Sequence, residues 1–284
     1  MPLRSRRAVI ISVFIIAIVS LIIVYNKIKP GRADGEALAV YFNIGQGDAA
    51  AFITNNICIV IDAGPDDSED KLTTYLKRYD VDHIDCAVFS HPHDDHIGGA
   101  DAVLKSFEVS SVLMPDEISG LRVYDEMMRA IDDEECTVYE AVPGLIKEFG
   151  DVKLTVLAPC GEYDDLNLSC AVVMISYGDT DFLYMGDCEG GAVDDAIAMM
   201  GDEAFDCDVI KIGHHGAASA TKEKLLSAAT PEIAVISCGA GNDYSHPHES
   251  TLSILSTHGI SVYRTDINGT VIIKSNGSSV EYMH

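Results

Sequence analysis

The sequence is poor in positive charge and lacks tryptophan altogether. Its 284 residues include 19 Lys and Arg against 45 Asp and Glu, a formal net charge of −26, and no block of Lys and Arg follows the N-terminal segment. An acidic surface repels polyanions at long range, which disfavours a broad duplex-binding surface that gains affinity by neutralising phosphates. The scarcity of basic tracks and stacking rings also favours a small substrate over a long polymer.

Cysteine is present, but without the paired spacing of thiolate metal sites. The chain contains no Cys-x-x-Cys pair, and several cysteines lie in apolar strand-like runs, where a thiol behaves as a small hydrophobic group. We therefore predict no disulfide and no cysteine metal ligand. The eight cysteines are at positions 58, 86, 136, 160, 170, 188, 207 and 238.

The N-terminal segment differs from the rest of the chain. A basic start, MPLRSRR, precedes an apolar run from Ala8 to Tyr25, about the length of a membrane-spanning helix. A cleaved signal peptide is the alternative, but the run exceeds the usual apolar region of a signal peptide and no small-x-small cleavage site follows it. The sequence predicts a transmembrane anchor at 1–25, a linker at 26–36 and one large domain at 37–284. We expect a single-pass protein of the cell membrane with this domain outside the cytoplasm, although basic residues on both sides of the run leave its orientation open.

The large domain alternates short apolar strands with amphipathic helices. The runs ALAVYFNI, AAAFIT and ICIVIDAG are typical of strands, whereas SEDKLTTYLKRYD carries its apolar residues at helical spacing. Later strands are predicted at VKLTVLAP, CAVVMISYG, DFLYMGD, CDVIKIG and EIAVIS. This pattern suits a layered α/β domain in which two sheets face each other, helices cover the outsides and strand-end loops meet at one edge.

Ligand-type side chains collect at these strand ends. The segment SHPHDDHIGGA, residues 90–100, holds three histidines and two aspartates within six residues. Imidazole nitrogen and carboxylate oxygen are the donors that zinc uses, with manganese or iron favoured by more oxygen. Further donors end or follow four other predicted strands: Asp62, Asp187, His214 with His215, and His246 with His248.

The spacing within HPHDDH points to two metal ions. His91 and His93 are two residues apart and can face the same way on an extended turn, whereas Asp95 and His96 begin a helix and diverge toward a second position. Asp187 is the expected bridge, because one carboxylate can contact two cations through its two oxygens.

The histidines of the two later pairs are the candidates for the remaining ligands. One of His214 and His215, and one of His246 and His248, would fill the two coordination spheres. The adjacent glycines Gly98 and Gly99 would let the helix approach neighbouring backbone closely.

Six ordered motifs resemble the metallo-β-lactamase superfamily, and within it the metallo-hydrolase domain of the ComEC/Rec2 competence proteins and their stand-alone relatives. The motifs are VYFNIGQGDAAAFI, VIDAG, SHPHDDHIGGA, FLYMGDCE, DVIKIGHHG and NDYSHPHESTL, and they cover about residue 37 to the C-terminus. The resemblance implies an αββα sandwich with a dinuclear site at one edge, holding Zn²⁺ or, as the alternative, Mn²⁺. It implies His91, His93, Asp95, His96 and Asp187 as ligands, and Asp62 as a residue that orients them.

The chain also departs from the family pattern. No histidine lies between His96 and Asp187, where many members have a further ligand, so His214 or His215 must substitute or the first metal lacks a ligand. Asn43, Ala217 and Ser245 replace the usual aspartate, serine and glycine of their motifs. The GQGD stretch predicts a hairpin turn with structural glycines.

The expected chemistry is hydrolysis by a water molecule that two divalent ions activate. Asp95 and Asp62 are expected at the reacting centre, and a histidine not used as a ligand, His215 or His248, would protonate the leaving oxygen. Lys211 resembles a family lysine that contacts the substrate phosphate, with a strand-end lysine as the alternative.

Three functions remain open from the sequence. The first is a membrane-anchored phosphodiesterase or nuclease whose substrates include single-stranded DNA. The second is a hydrolase of a small envelope phosphoester, such as a phosphorylcholine group, or of a carboxylic ester or lactam. The third is a metal-holding partner domain without catalysis.

Overall fold

The computed structural model describes residues 33–283. The anchor predicted at 1–25 and most of the predicted linker lie outside the described residues. Within 33–283, no helix combines the length and apolar character needed to cross a bilayer.

Two large β-sheets form the centre of the domain. The first has eight strands in the order β17-β16-β1-β2-β3-β5-β7-β8, the second has seven in the order β15-β14-β13-β12-β11-β10-β9, and β4 pairs with β6 in a small separate ladder. The strands are β1 Ala37–Tyr41, β2 Ala49–Ile53, β3 Cys58–Ala63, β4 His83–Ile84, β5 Cys86–Val88, β6 Glu108–Val109, β7 Ser111–Met114, β8 Thr137–Glu140, β9 Ile146–Phe149, β10 Val152–Ala158, β11 Val172–Tyr177, β12 Thr180–Tyr184, β13 Val209–Lys211, β14 Ile233–Ile236, β15 Ser261–Arg264, β16 Val271–Ser275 and β17 Val280–Met283.

Helices connect the strands. They are α1 Glu69–Arg78, α2 Asp94–Ile97, α3 Ala100–Ser106, α4 Arg122–Glu134, α5 Gly190–Met200, α6 Glu223–Ala229, α7 Glu249–Thr257 and α8 Thr265–Asn268, with short 3-10 turns at Asp66–Ser68, Asp202–Ala204 and His214–Gly216. The predicted helix at 68–80 is confirmed with small shifts at its ends.

Three apolar layers hold the sheets and helices together. Between the sheets, Phe52 meets Phe182 edge to face with ring centroids 5.1 Å apart, and Tyr41 stacks on Tyr184 at 5.7 Å. A second layer packs the outer face of the first sheet against Leu72, Leu76 and other helical residues, and a third lies between the second sheet and α5 to α7. The αββα sandwich predicted from the resemblance is therefore confirmed.

Parallel pairing brings the functional strand ends together. In the first sheet β3 runs parallel to β5, and in the second sheet β12, β13 and β14 are parallel neighbours. The carboxyl ends of parallel strands meet at one edge of a sheet, so the segments that follow β3, β5, β12, β13 and β14 lie side by side.

The sequence pattern predicts no strand at β8, β9 or β17, and the structure has one at each. β8 and β9 are edge strands with largely exposed side chains, and β17 is also an edge strand. Such strands lack the continuous apolar run that marks a buried strand. All eight cysteines are free thiols, and six of them are buried.

Candidate metal centre

The loops at the shared edge adopt strained backbone conformations. Asp62, His214, His215 and Ser245 have φ values of 56°, 47°, 51° and 60°, a region that non-glycine residues rarely occupy. Each costs on the order of 1–3 kcal/mol and persists only where the surrounding contacts enforce it. The strained residues lie in the loops that position the side chains of the site.

The HPHDDH segment packs tightly against its neighbours. His91 is 1% exposed and His96 is fully buried, with ring centroids 4.2 Å apart, and His91 Nε2 lies 2.9 Å from His93 Nδ1. Gly98 touches other backbone directly, because a Cβ there would lie 2.1 Å from the nitrogen of Asp66. The close approach predicted for the paired glycines is confirmed.

Asp62 holds this segment in place. One carboxylate oxygen accepts a hydrogen bond from the backbone N–H of Ser90 at 2.7 Å. The other accepts one from the Ser90 hydroxyl at 2.7 Å and lies 2.8 Å from His96 Nδ1. When His96 Nδ1–H donates to Asp62 and the ring is neutral, the lone pair of His96 Nε2 points toward the centre of the site.

Two buried acceptors face each other across this centre. His96 Nε2 lies 3.2 Å from Asp187 Oδ1, and neither atom has a hydrogen-bond partner. His215 repeats the arrangement. Its Nδ1 lies 3.0 Å from the carbonyl of Ser237, and its Nε2 lies 3.2 Å from Asp95 Oδ2 and 3.6 Å from Asp187 Oδ2. Facing acceptors in a buried site call for a cation between them.

The pKa shifts of the buried residues also indicate that positive charge is stabilised at this centre. Burial alone would lower the pKa of His96, but the carboxylates of Asp187 and Asp62 hold it well above its ordinary value, so without a metal ion a proton on Nε2 supplies the positive charge that faces Asp187. Burial would raise the pKa of Asp187, yet His215 and His96 hold it well below its ordinary value. The pKa of His91 falls because the ring is buried and lies beside His96. His91 therefore stays neutral, the form that binds metal.

The described part of the chain contains four overlapping groups of three donor residues, and within each group the ligand atoms lie within 4.8 Å of one another. Two contain expected ligands only: His91 with His96 and Asp187, and Asp95 with His96 and His215. The other two both contain Asp48, which was not expected in the site, and one of them also contains Asp62. The imidazole and carboxylate donors fit a divalent ion of the zinc or manganese type.

Asp48 is the site residue that sequence reasoning missed. GQGD predicts only a structural turn, and the structure shows a turn whose final residue is 4% exposed and reaches the site. The backbone N–H of Asp48 donates to the carbonyl of Asp95 at 2.9 Å, and a Cβ on Gly47 would lie 2.4 Å from that same oxygen. An acidic residue after a glycine turn, at the start of a buried strand, was the available signal.

Lys211 occupies a different place from the one expected. Its side chain is 3% exposed, and Nζ donates to the carboxylate of Asp48 and, at 3.0 Å, to the carbonyl of Gly186. The amine therefore joins the loop before β2 to the loop after β12 beneath the site. A contact with substrate phosphate would need an amine directed at solvent, which this one is not.

Glu189 is a second residue that the sequence did not single out. Its carboxylate lies 2.9 Å from His214 Nδ1 and accepts a hydrogen bond from Ser219. The hydrogen bond with His214 lowers the pKa of Glu189. Half-buried His214 thus directs its other nitrogen toward Asp187, with Nε2 3.8 Å from Oδ2.

The remaining histidines lie one ring further from the centre. His246 has its ring centroid 5.4 Å from that of His214, and burial together with the neighbouring histidines lowers its pKa to about 4. His248 accepts a hydrogen bond from the backbone N–H of Ala218 at Nδ1, 2.9 Å away. Neutral His248 therefore carries its proton on Nε2. His93, His214, His246 and His248 lie outside the four compact donor groups among residues 33–283.

Comparison with known proteins agrees with this architecture. The family model described as the metallo-beta-lactamase superfamily matches residues 43–240. The chain is 29% identical over 204 residues to ComE operon protein 3 of Bacillus subtilis, covering 72% of this chain and 26% of that protein. It is 28% identical over 236 residues to Recombination protein 2 of Haemophilus influenzae, covering 81% of this chain and 28% of that protein. The chain therefore spans little more than a quarter of these relatives.

A solved structure shares the fold at low sequence identity. The metallo-beta-lactamase fold protein YhfI from Bacillus subtilis superposes with a TM-score of 0.58 at 12% identity, covering 84% of this chain and all of that one. Identity at this level shows a common fold and leaves the substrate to be argued from the site.

Proposed function

Because the chain belongs to the metallo-β-lactamase superfamily, we propose that it is a hydrolase that uses two divalent ions to cleave phosphodiester bonds. The observation that carries this proposal is the pair of facing acceptors at the buried centre, His96 Nε2 opposite Asp187 Oδ1. Without a positive charge at this point, from a cation or from a proton on His96, the fold would bury unpaired carboxylate and imidazole atoms at considerable cost.

The ligand assignment combines the donor groups with the spacing of the HPHDDH segment. We assign His91 and His93 to one side of Asp187, and Asp95, His96 and His215 to the other. Asp187 would be shared by the two sides, since it lies in one donor group with His91 and its Oδ2 lies 3.6 Å from His215 Nε2.

The ions, when bound, lower the pKa of a water molecule toward neutrality and offset the negative charge that develops on the reacting group. The protein's own residues set the geometry. Asp62 keeps His96 in one tautomer, Ser237 does so for His215, and Lys211 holds Asp48 against the loop after β12. His248, with its proton on Nε2, is the residue we propose to protonate the leaving oxygen.

Phosphodiesters are the preferred substrate for two reasons. The relative named Recombination protein 2 points to nucleic-acid chemistry, although this chain covers only 28% of it. A dinuclear centre held by these residues would also suit phosphodiesters, because two cations would offset the negative charge of the reacting phosphate. The formal charge of −26 disfavours duplex DNA, so we propose a single strand or a short fragment.

We also propose that the domain is attached to the cell membrane, outside the cytoplasm. The support is the apolar run from Ala8 to Tyr25. Membrane fractions that retain the full-length chain after alkaline carbonate washing would support attachment, and release of the chain by that wash would contradict it.

The test of the hydrolase proposal combines metal analysis with three substrates. Purified protein is loaded with Zn²⁺ or Mn²⁺ and assayed on labelled single-stranded DNA, bis(4-nitrophenyl) phosphate and a chromogenic β-lactam. We expect about two bound ions per chain and cleavage of the two phosphodiesters. Asp187→Asn should lose metal and at least about 100-fold in rate, because it removes the shared ligand. Asp179→Asn, which changes an exposed carboxylate in the turn before β12, should match the wild type.

The other outcomes point to the competing functions. Cleavage of the β-lactam or of small phosphomonoesters, with both phosphodiesters intact, would overturn the substrate class. Two bound ions with no turnover of any substrate would indicate a metal-holding domain.

A further inference from the structure

An exposed aromatic ring stands beside the metal centre. Tyr244 is 64% exposed, and it is the one aromatic side chain among the large hydrophobic residues that the described part of the chain leaves exposed. Its ring stacks on that of His246 with centroids 5.7 Å apart and planes 23° from parallel. Single exposed aliphatic residues are common on protein surfaces, but an exposed ring next to a reactive centre is typical of a binding site.

The loop holds this ring in place. Asn242 accepts hydrogen bonds from the backbone N–H groups of Tyr244 and His246 at 3.2 and 3.0 Å, and its amide donates to the carbonyls of Gly239 and His246. Ser245, between the two rings, has a left-handed φ of 60°. The ring is therefore presented by a loop with many hydrogen bonds, which limits the entropy lost when a ligand stacks on it.

The stacked rings of Tyr244 and His246 extend from the protein surface to the metal centre. The ring of His246 lies 5.4 Å from that of His214 and 6.2 Å from that of His215 between centroids, and His215 faces Asp95 and Asp187. One face of Tyr244 covers His246, and the exposure of the side chain leaves the other face open. A planar group placed on that open face would continue the stack and lie beside the reacting bond.

We propose that Tyr244 binds a nucleobase of the substrate by stacking, next to the phosphodiester that is cleaved. This inference rests on the proposed phosphodiesterase function and specifies its substrate as a nucleotide chain. Stacking does not need a basic groove, so it reconciles nucleic-acid binding with the acidic composition. It also requires an unpaired base, which selects single strands over duplexes.

A quaternary ammonium group is the other ligand that an aromatic face attracts. Recognition of such a group normally uses a cage of several rings. In residues 33–283 the ring contact of Tyr244 is with His246, and one flat open face suits a planar base better than a round cation.

The test compares substrates with and without bases. The metal-loaded protein is assayed on a short oligothymidylate, on the same oligomer built from abasic tetrahydrofuran units, and on glycerophosphocholine. Stacking is worth about 1–3 kcal/mol per base, so the wild type should favour the thymidine oligomer by about 5- to 150-fold in kcat/KM. Tyr244→Ala should bring this ratio close to one, and Tyr244→Phe should retain it.

Control variants separate stacking from support of His246. Met199→Ala shortens another exposed apolar side chain, 59% exposed on the last turn of α5, and should keep the wild-type ratio. If Tyr244→Ala loses metal, the assay uses Tyr244→Leu instead, because leucine still covers His246 but offers no aromatic face.

Each remaining outcome has a distinct meaning. A wild-type protein that cleaves both oligomers equally, or a Tyr244→Ala variant that keeps the base preference, overturns the stacking role and leaves the phosphodiesterase proposal standing. A loss confined to glycerophosphocholine assigns the ring to an ammonium group instead. Failure of the metal-loaded wild type to cleave either oligomer contradicts the proposed function itself.

Discussion

The buried ion pair beneath the metal centre gives the sharpest stability prediction. Lys211 and Asp48 are 3% and 4% exposed, and the second carboxylate oxygen of Asp48 already lacks a hydrogen-bond partner. Lys211→Met keeps most of the side-chain volume but leaves the carboxylate buried without its cation. Breaking a buried pair from one side costs about 3–5 kcal/mol. Burial lowers the pKa of Lys211 to about 7, so at pH 6, where the amine is charged, we expect the free energy of unfolding of the metal-free protein to fall by at least about 3 kcal/mol.

The double variant tests whether the loss comes from the unpaired charge. Asp48→Leu combined with Lys211→Met replaces the pair by apolar groups, an exchange that is often neutral. We therefore expect the double variant to recover most of the stability that the single variant loses. The coupling between the two changes should be about 3 kcal/mol or more.

Guanidinium chloride unfolding in the presence of a chelator is the assay, because bound metal would otherwise add its own stabilisation. An exposed pair supplies the control: Lys105 is bonded to Asp101 at 2.6 Å on the surface of α3, and Lys105→Met should cost less than about 0.5 kcal/mol. If Lys211→Met costs no more than this control, the ion pair does not support the site as described.

Three further predictions concern packing, metal affinity and pH. Gly98→Ala forces backbone apart and should cost about 1–3 kcal/mol in a denaturant melt, whereas Gly191→Ala, with open space around it, should be neutral or stabilising. Asp62→Asn should weaken metal binding about 10- to 100-fold by isothermal titration, and unchanged affinity would refute its orienting role. Because its hydrogen bond with His214 lowers the pKa of Glu189, the stability that this carboxylate contributes is present above the unfolded pKa near 4.5 and is lost as pH falls through the folded pKa. In the presence of a chelator, the free energy of unfolding of Glu189→Gln should therefore fall less steeply than that of the wild type as the pH is lowered through that window.

Much of the fold can be predicted from local patterns. The buried strands β1, β2, β3, β11 and β14 coincide with nearly continuous apolar runs, because a strand covered on both faces needs apolar side chains almost throughout. The edge strands β8 and β9 could not be predicted in this way, since their side chains are mostly exposed. Their pairing depends on neighbours that are distant in the sequence.

Some residues of the candidate site can also be predicted from local sequence, and others cannot. HPHDDH shows its chemistry within six residues, and Asp62 and Asp187 are marked by their positions at strand ends. The roles of Asp48 and Lys211 are not visible locally, because they meet across 163 positions of sequence. A strand-end lysine and a turn aspartate have the same sequence signature whether they face solvent or each other.

The sequence by itself determined the donor types, their order along the chain and the layered α/β architecture, because these follow from side-chain chemistry and from the periodicity of apolar residues. Only the tertiary structure decided which donors face one another. That outcome depends on strand register, on the left-handed turns at Asp62 and His215, and on the hydrogen bonds that select one imidazole nitrogen over the other. These are distances and directions between remote segments, and no local pattern encodes them.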